Sequence, residues 1–261
     1  SLELGEGRTA AVRASARGDR GGMEIDALRV TEGDSTVVNA LGHLPVTFMP
    51  GGAPWMVIAP DGPLRIDATV VPHAAFWQKL AAVSGVELQE PVAAAHLTGT
   101  WQRPEGTAQL KAARIVIDPK RVKQALPAIE NLDVQLTGDR GGVTLNTFAV
   151  AIEGQLVRAR GRLPLPEGKW SELFKSPLAA ARRGADLRLE VPGADVAVFA
   201  RFLPAVLAPK GRFEADLTYR RGGVEGFVKL RDAASRPLGP LGVLQEISAD
   251  IALSGRKLAL R

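Results

Sequence analysis

Apolar and polar residues alternate with a period of two along much of this chain. The alternation is regular over 132–137, 213–219 and 247–253. Successive side chains of an extended strand point to opposite faces, so this pattern predicts strands that are apolar on one face and mostly polar on the other. We expect an all-β protein, a long, curled and antiparallel-rich sheet, with strand content well above roughly 40% against a usual 20–25%.

A repeated pentapeptide divides the alternating pattern into two copies. Gly-Asp-Arg-Gly-Gly occupies 18–22 and recurs at 138–142, an offset of 120 residues. Glycine adopts positive φ at little steric cost, so both strings predict hairpin turns at equivalent places. We therefore interpret residues 1–130 and 131–261 as the first and second repeat units of one continuous β-trough.

The alternation also slips by one residue at the same place in both copies. The slip falls between Ile25 and Leu28 in the first copy and between Leu145 and Phe148 in the second. A β-bulge or a tight turn at that place would return the apolar side chains to one face of the sheet. Residues 12–50 and 132–169 are accordingly expected to superpose.

Helical periodicity is limited to a few short segments. Apolar residues at helical spacing predict short helices near 73–83, 171–183 and 195–207 only. Pro204 would clash with the carbonyl of Ala200, so the third helix is expected to end or kink near Leu203.

Composition then excludes several classes of function. The chain has no cysteine and only three histidines, and none of these histidines has a second ligand at metal-binding spacing. Phosphate loops, dinucleotide fingerprints and nucleophile elbows are absent from the sequence. We therefore expect no catalytic residues, no metal, no cofactor and no enzymatic activity.

Charge and hydropathy give two further expectations. The net charge of +5 comes from short basic clusters with acidic residues between them, so we expect no nucleic-acid partner. No apolar run is long enough to predict a membrane-spanning helix.

The apolar side of the alternation is the candidate functional surface. One interpretation closes it on itself as the core of a sandwich; the other leaves it lining a groove, open along one edge, for a hydrophobic ligand. On the second interpretation the groove residues are Leu132, Val134, Leu136, Val143, Leu145, Phe148, Val150, Phe213, Leu217, Ile247, Ile251 and Leu253.

The order of short motifs in the second unit resembles a known family. The first segment, 211–217, reads Gly-Arg-Phe-Glu-Ala-Asp-Leu, and the second, 223–230, reads Gly-Val-Glu-Gly-Phe-Val-Lys-Leu. The third, 238–242, reads Leu-Gly-Pro-Leu-Gly, and the fourth, 247–255, reads Ile-Ser-Ala-Asp-Ile-Ala-Leu-Ser-Gly. They resemble a repeat of the translocation and assembly module subunit TamB and its AsmA-like relatives. The first copy carries a similar segment at 97–106.

This resemblance implies a β-taco, a sheet folded lengthwise into a trough that is apolar inside. It implies a non-enzymatic segment of an inner-membrane-anchored envelope protein in the periplasm, with the anchor outside this segment. Phospholipid acyl chains would be the ligand, moved between inner and outer membranes. The resemblance also implies help in outer-membrane protein assembly, through an Omp85-type barrel contacted by regions outside this segment. The alternative is a structural or interaction β-repeat module, a closed sandwich or solenoid with no lipid groove.

Overall fold

The protein is built on one large antiparallel sheet. The computed structural model describes residues 2–3, 9–19, 22–32, 35–49, 51, 54, 56–72, 75–117, 126–165, 184–202, 208–220, 222–237, 239–255 and 257–260. Strands make up 72% of the described residues, and the large sheet that they form is not closed into a barrel. The prediction of an all-β, curled-sheet protein is confirmed.

Eighteen strands follow one another along the described chain. The first nine are β1 (Leu2–Glu3), β2 (Thr9–Asp19), β3 (Gly22–Glu32), β4 (Ser35–Leu44), β5 (Val46–Phe48), β6 (Met56–Ile58), β7 (Arg65–Val70), β8 (Val86–Gln89) and β9 (Val92–Gly99). The others are β10 (Pro104–Ile117), β11 (Ile129–Asp139), β12 (Gly142–Ile152), β13 (Gln155–Pro164), β14 (Asp186–Asp195), β15 (Arg212–Arg220), β16 (Gly223–Ala233), β17 (Ile247–Gly255) and β18 (Lys257–Leu260).

Strand order in the sheet almost follows chain order. The path runs β1-β2-β3-β4-β7-β9 and then continues from β10 to β18 without interruption, while β8 pairs with the far end of β10. The short strands β5 and β6 form a separate two-stranded sheet. Most strands pair with their neighbours in sequence, and the register of each pair sets which side chains share a face of the sheet.

The repeated pentapeptide forms the same hairpin in both copies. Asp19 pairs with Gly22 at the end of the β2–β3 hairpin, and Asp139 pairs with Gly142 at the end of the β11–β12 hairpin. The equivalence of the two turns is confirmed. The superposition of 12–50 on 132–169 and the division into units at residue 130 stay predictions.

The predicted slip in the alternation is a register shift in both copies. It lies between Ile25 and Leu28 where β3 meets β4, and between Leu145 and Phe148 where β12 meets β13. An extra residue inserted at a bulge restores the side-chain phase that the slip would otherwise reverse. The predicted irregularity is therefore confirmed in both copies.

Two of the predicted helices fall on described residues. Helix α1 (Ala75–Ser84) corresponds to 73–83, and a 3-10 helix, Val196–Phe202, corresponds to the third segment. The segment 171–183 lies outside the described residues. A further 3-10 helix, Gly239–Leu241, was not expected, and the prediction of helices at three places only is wrong here. A three-residue turn of this kind is a common connector and leaves no periodic signal.

Small buried clusters, not one central core, hold these elements on the sheet. In the first cluster Trp77 of α1 packs against Val37 and donates a hydrogen bond from Nε1 to the Val71 carbonyl oxygen over 3.1 Å. A second cluster joins Ala112, Leu132 and Val150. In a third, Phe199 of the Val196–Phe202 helix packs against buried residues of β14 and β15.

Two glycines of the β15–β16 hairpin, Gly222 and Gly226, differ in how closely a neighbouring strand approaches them. A Cβ at Gly226 would lie 2.0 Å from the Asp216 carbonyl oxygen, while at Gly222 it would meet nothing within 4 Å. Both glycines have positive φ, 130° and 78°. We expect Gly222→Ala to cost about 1–2 kcal/mol from backbone strain alone, and Gly226→Ala to cost clearly more, since the strands must separate. Denaturant unfolding measures the free energy of unfolding of both variants. Equal losses of stability would contradict the conclusion that a neighbouring strand lies against Gly226.

Candidate functional site

The register of the sheet assembles a continuous apolar face. Side chains of directly paired residues lie on the same side of an antiparallel pair. One row of such pairs crosses nine strands, from β4 to β15: Val38, Val70, Ala93, Leu110, Val134, Phe148, Ala159, Leu189 and Leu217. The alternation that is local in sequence becomes a surface only through this pairing.

All twelve predicted groove residues lie on this apolar face. Val134 pairs with Phe148 and Leu136 with Leu145, and Leu217 pairs with Gly226, which in turn pairs with Leu253. The remaining members alternate with these along β11, β12, β15 and β17: Leu132, Val143, Val150, Phe213, Ile247 and Ile251. Whether they line one concave groove open along an edge stays a prediction.

Burial divides the twelve into two groups. Leu132 and Val150 are buried, 7% and 4% exposed, and they belong to the second buried cluster. The other ten are half-buried. The apolar face is therefore covered along part of its length and accessible to solvent over the rest.

The covered part lies toward one end of the strands. Register places Ala112 and Leu132 one pair beyond the row formed by Leu110 and Val134, and Val191 and Ala215 lie on the same side of the row. These residues belong to the second and third clusters, the latter of which holds the Val196–Phe202 helix. The row itself and its opposite side contain most of the half-buried residues.

The sequence reasoning missed the part of this face that belongs to the first unit. Val38, Val70, Ala93 and Leu110 continue the row of Val134, and they pack around Trp77. The alternation of Ala93, Ala95 and Leu97 along β9 was the available signal, but alanine is too weakly apolar to mark a strand face clearly.

Ion pairs between strands cover the opposite face. The Arg188 guanidinium lies 2.5 Å from Asp216 and 2.9 Å from Glu190. Arg162 contacts Asp139 at 2.7 Å, and Arg231 contacts Asp250 at 2.6 Å. Exposed pairs of this kind stabilise a protein little individually, but a face covered with charges is directed to solvent.

Two carboxylates on this face, Asp216 and Asp139, have lowered pKa values. The hydrogen bond from Arg188 holds the pKa of Asp216 below its usual value. The hydrogen bond from Arg162, assisted by the Gly141 backbone amide, lowers the pKa of Asp139. Opposite charge and hydrogen bonding both favour the ionised form.

Two depressions lie on the charged and polar face. The first, of about 410 Å³, crosses β4 to β12, and the second, of about 440 Å³, lies between β12 and β14. Polar residues such as Asn39, Gln135, Arg160 and Arg188 line them.

The described residues contain no cluster of metal-binding side chains. No group of three or more histidine, cysteine, aspartate or glutamate side chains within the described ranges could hold a metal ion. Two histidines contact carboxylates across strands, His43 with Glu24 at 2.9 Å and His96 with Asp67. No helix among the described residues is long and apolar enough to cross a membrane.

The fold and its two faces define this protein as a β-repeat-like protein built on one large open sheet, which has one apolar and one charged face. No family model, curated protein or solved structure matches the chain.

Acid titration tests the ion pairs of the charged face. The pKa of Asp216 is lowered on folding, so its contribution to stability is fully present above the ordinary carboxyl pKa of about 4 and is lost as pH falls through the lower folded value. Asp216→Asn should therefore be less stable than wild type at neutral pH, with the difference shrinking as pH falls below about 4. Thermal unfolding of the variant and of wild type at a series of pH values from neutral to acid measures this difference in stability.

The matched control is Glu225→Gln on the neighbouring strand, where Glu225 faces Thr218 and Ser254. Glu225 makes no ion pair within the described residues, so the removal of its charge should leave the stability nearly unchanged. A difference for Asp216→Asn that stays constant through the acid range would contradict a stabilising Arg188–Asp216 pair.

Proposed function

We propose that the apolar face binds lipid acyl chains and provides a conduit for phospholipid. The observation that carries this proposal is the combination of continuity and exposure: a row of apolar pairs crosses nine strands, and its residues are mostly half-buried. A sheet ordinarily buries its apolar face against another layer. Acyl chains would cover this face in the way that a second layer covers an ordinary sheet.

The energetics favour such an occupant. Each acyl methylene exposed to water costs roughly 0.8 kcal/mol, so that moving a chain of about 16 carbons through water costs on the order of 13 kcal/mol. A row that is apolar from strand to strand offers contact at every step and lowers that barrier. The charged face, with pairs such as Arg188–Asp216, stays in water meanwhile.

The cellular setting of the proposal follows from the family resemblance. The chain would be a segment of an inner-membrane-anchored protein in the periplasm, carrying phospholipid between inner and outer membranes and aiding outer-membrane protein assembly. An Omp85-type barrel would be a partner of regions beyond this segment.

A structural or interaction module is the second candidate. It is favoured by the buried cluster of Ala112, Leu132 and Val150, which shows that part of the apolar face is already sealed within the chain. In that case the face would serve as a core, and the repeats would act as a spacer or scaffold.

Charges introduced on the two faces distinguish the candidates. Ile251→Asp places a carboxylate at a half-buried position of the apolar face, while Ala252→Asp places the same charge on the next residue, which is exposed on the opposite face. We expect both variants to fold, because water still reaches each carboxylate. We expect only Ile251→Asp to weaken the binding of a fluorescent fatty acid and to reduce phospholipid found by mass spectrometry of the purified protein.

Leu132→Asp shows what a carboxylate does at a buried position of the apolar face. Leu132 is 7% exposed, and an unpaired carboxylate there should cost several kcal/mol and unfold the protein. Unfolding of Ile251→Asp and Val134→Asp as well would favour the sealed structural module. Lipid binding that survives in folded Ile251→Asp and Val134→Asp variants would contradict the conduit.

A further inference from the structure

The depression of about 410 Å³ on the polar face is lined by two parallel rows of paired side chains. The first row is Asn39, Thr69, Ala94, Gln109 and Gln135, taken from successive strands from β4 to β11. The second is Leu41, Asp67, His96, Thr107 and Thr137 on the same strands. Neighbouring strands lie about 4.8 Å apart, so each row presents a polar group at regular intervals across the sheet.

A small residue in the first row leaves room for a ligand. Ala94 stands between Thr69 and Gln109, and its short side chain forms the floor of the depression of about 410 Å³. Longer side chains on both sides form the walls. An elongated molecule lying across the strands would contact both rows at once.

Much of the hydrogen-bonding capacity of these walls is unused within the chain. Asn146 donates to the Thr137 hydroxyl at 2.6 Å, and Gln135 donates to Asp133 at 3.3 Å. The side chains of Asn39, Thr69, Thr107 and Gln109 make no hydrogen bond within the described part of the chain. Amides and hydroxyls both donate and accept, which suits a ligand whose groups do the same.

The lining disfavours charged ligands. Its charged members are Asp67 and His96, which contact each other. No lysine or arginine is among the described residues that line it, so a phosphate-rich polymer would lack counter-charges. Two leucines and four alanines line it beside the polar groups. The backbone groups of these strands already pair within the sheet, so an extended peptide could not add to the ladder.

We propose that this depression is a binding site for a neutral, polyhydroxylated ligand, an oligosaccharide lying across strands β4 to β11. Each sugar hydroxyl donates and accepts, as the amides of Asn39, Gln109 and Gln135 do. No phenylalanine, tyrosine or tryptophan is among the described residues that line the site, so affinity rests mainly on hydrogen bonds, each of which changes binding by up to about tenfold. Binding is therefore weak, and it is independent of the apolar face.

The test uses the full chain, isotope-labelled, and records backbone amide shifts by NMR while cellotetraose, chitotetraose or maltotetraose is added. We expect saturable shifts on β4 to β11 with at least one of these neutral probes. Ala94→Leu fills the floor and should abolish the shifts. Ala252→Leu makes the same change at an exposed alanine of β17 and should leave them intact. Gln109→Ala should weaken binding by up to about tenfold, the effect of one hydrogen bond.

Three outcomes would overturn the proposal. The first is the absence of saturable shifts with all three neutral probes. The second is stronger binding of a sulfated oligosaccharide or of an extended peptide than of the neutral probes, which would assign the depression to another ligand class. The third is neutral-probe binding that is unchanged in Ala94→Leu, with the fold of both leucine variants verified by the dispersion of their amide spectra.

Discussion

In-register antiparallel pairing is the constraint on which the rest of this structure depends. A strand shifted by one residue turns every side chain to the other face, so a surface that crosses nine strands requires correct phase at every pair. The register shifts at Ile25/Leu28 and Leu145/Phe148 maintain that phase. They correct the alternation where the sequence itself slips, and the row of apolar pairs depends on the second shift because it crosses β12 and β13.

The consequence is a single layer with two chemically distinct surfaces. Helix α1 and the Val196–Phe202 helix cover only part of the apolar side, through Trp77 and Phe199. Elsewhere residues such as Leu136 and Ile251 remain half-buried. Hydrophobic burial is the main favourable term in folding, so the accessibility of this face supports the proposal that acyl chains cover it. The charged face needs none, because its arginines and carboxylates pair with one another and with water.

Sequence reasoning recovered local features well. The repeated pentapeptide located two turns, and the slip of alternation located two register shifts, because each depends on fewer than about ten neighbouring residues. Sequence reasoning was less successful where the apolar positions of a strand are occupied by alanine. Ala93 and Ala95 belong to the apolar face, yet neither was identified, since alanine occurs on polar and apolar faces alike.

The polar depression shows why the sequence alone could not predict the second proposed site. Asn39 and Gln135 are separated by nearly a hundred residues and line one site only because β7, β9 and β10 place them in one row. The sequence by itself determined the all-β class, the repeated hairpin and the apolar positions of the second unit, because side-chain direction in a strand follows from a period of two. Only the tertiary structure decided which strands became neighbours, where Leu132 and Val150 are sealed and where the polar depressions lie, because pairing and packing join residues distant along the chain.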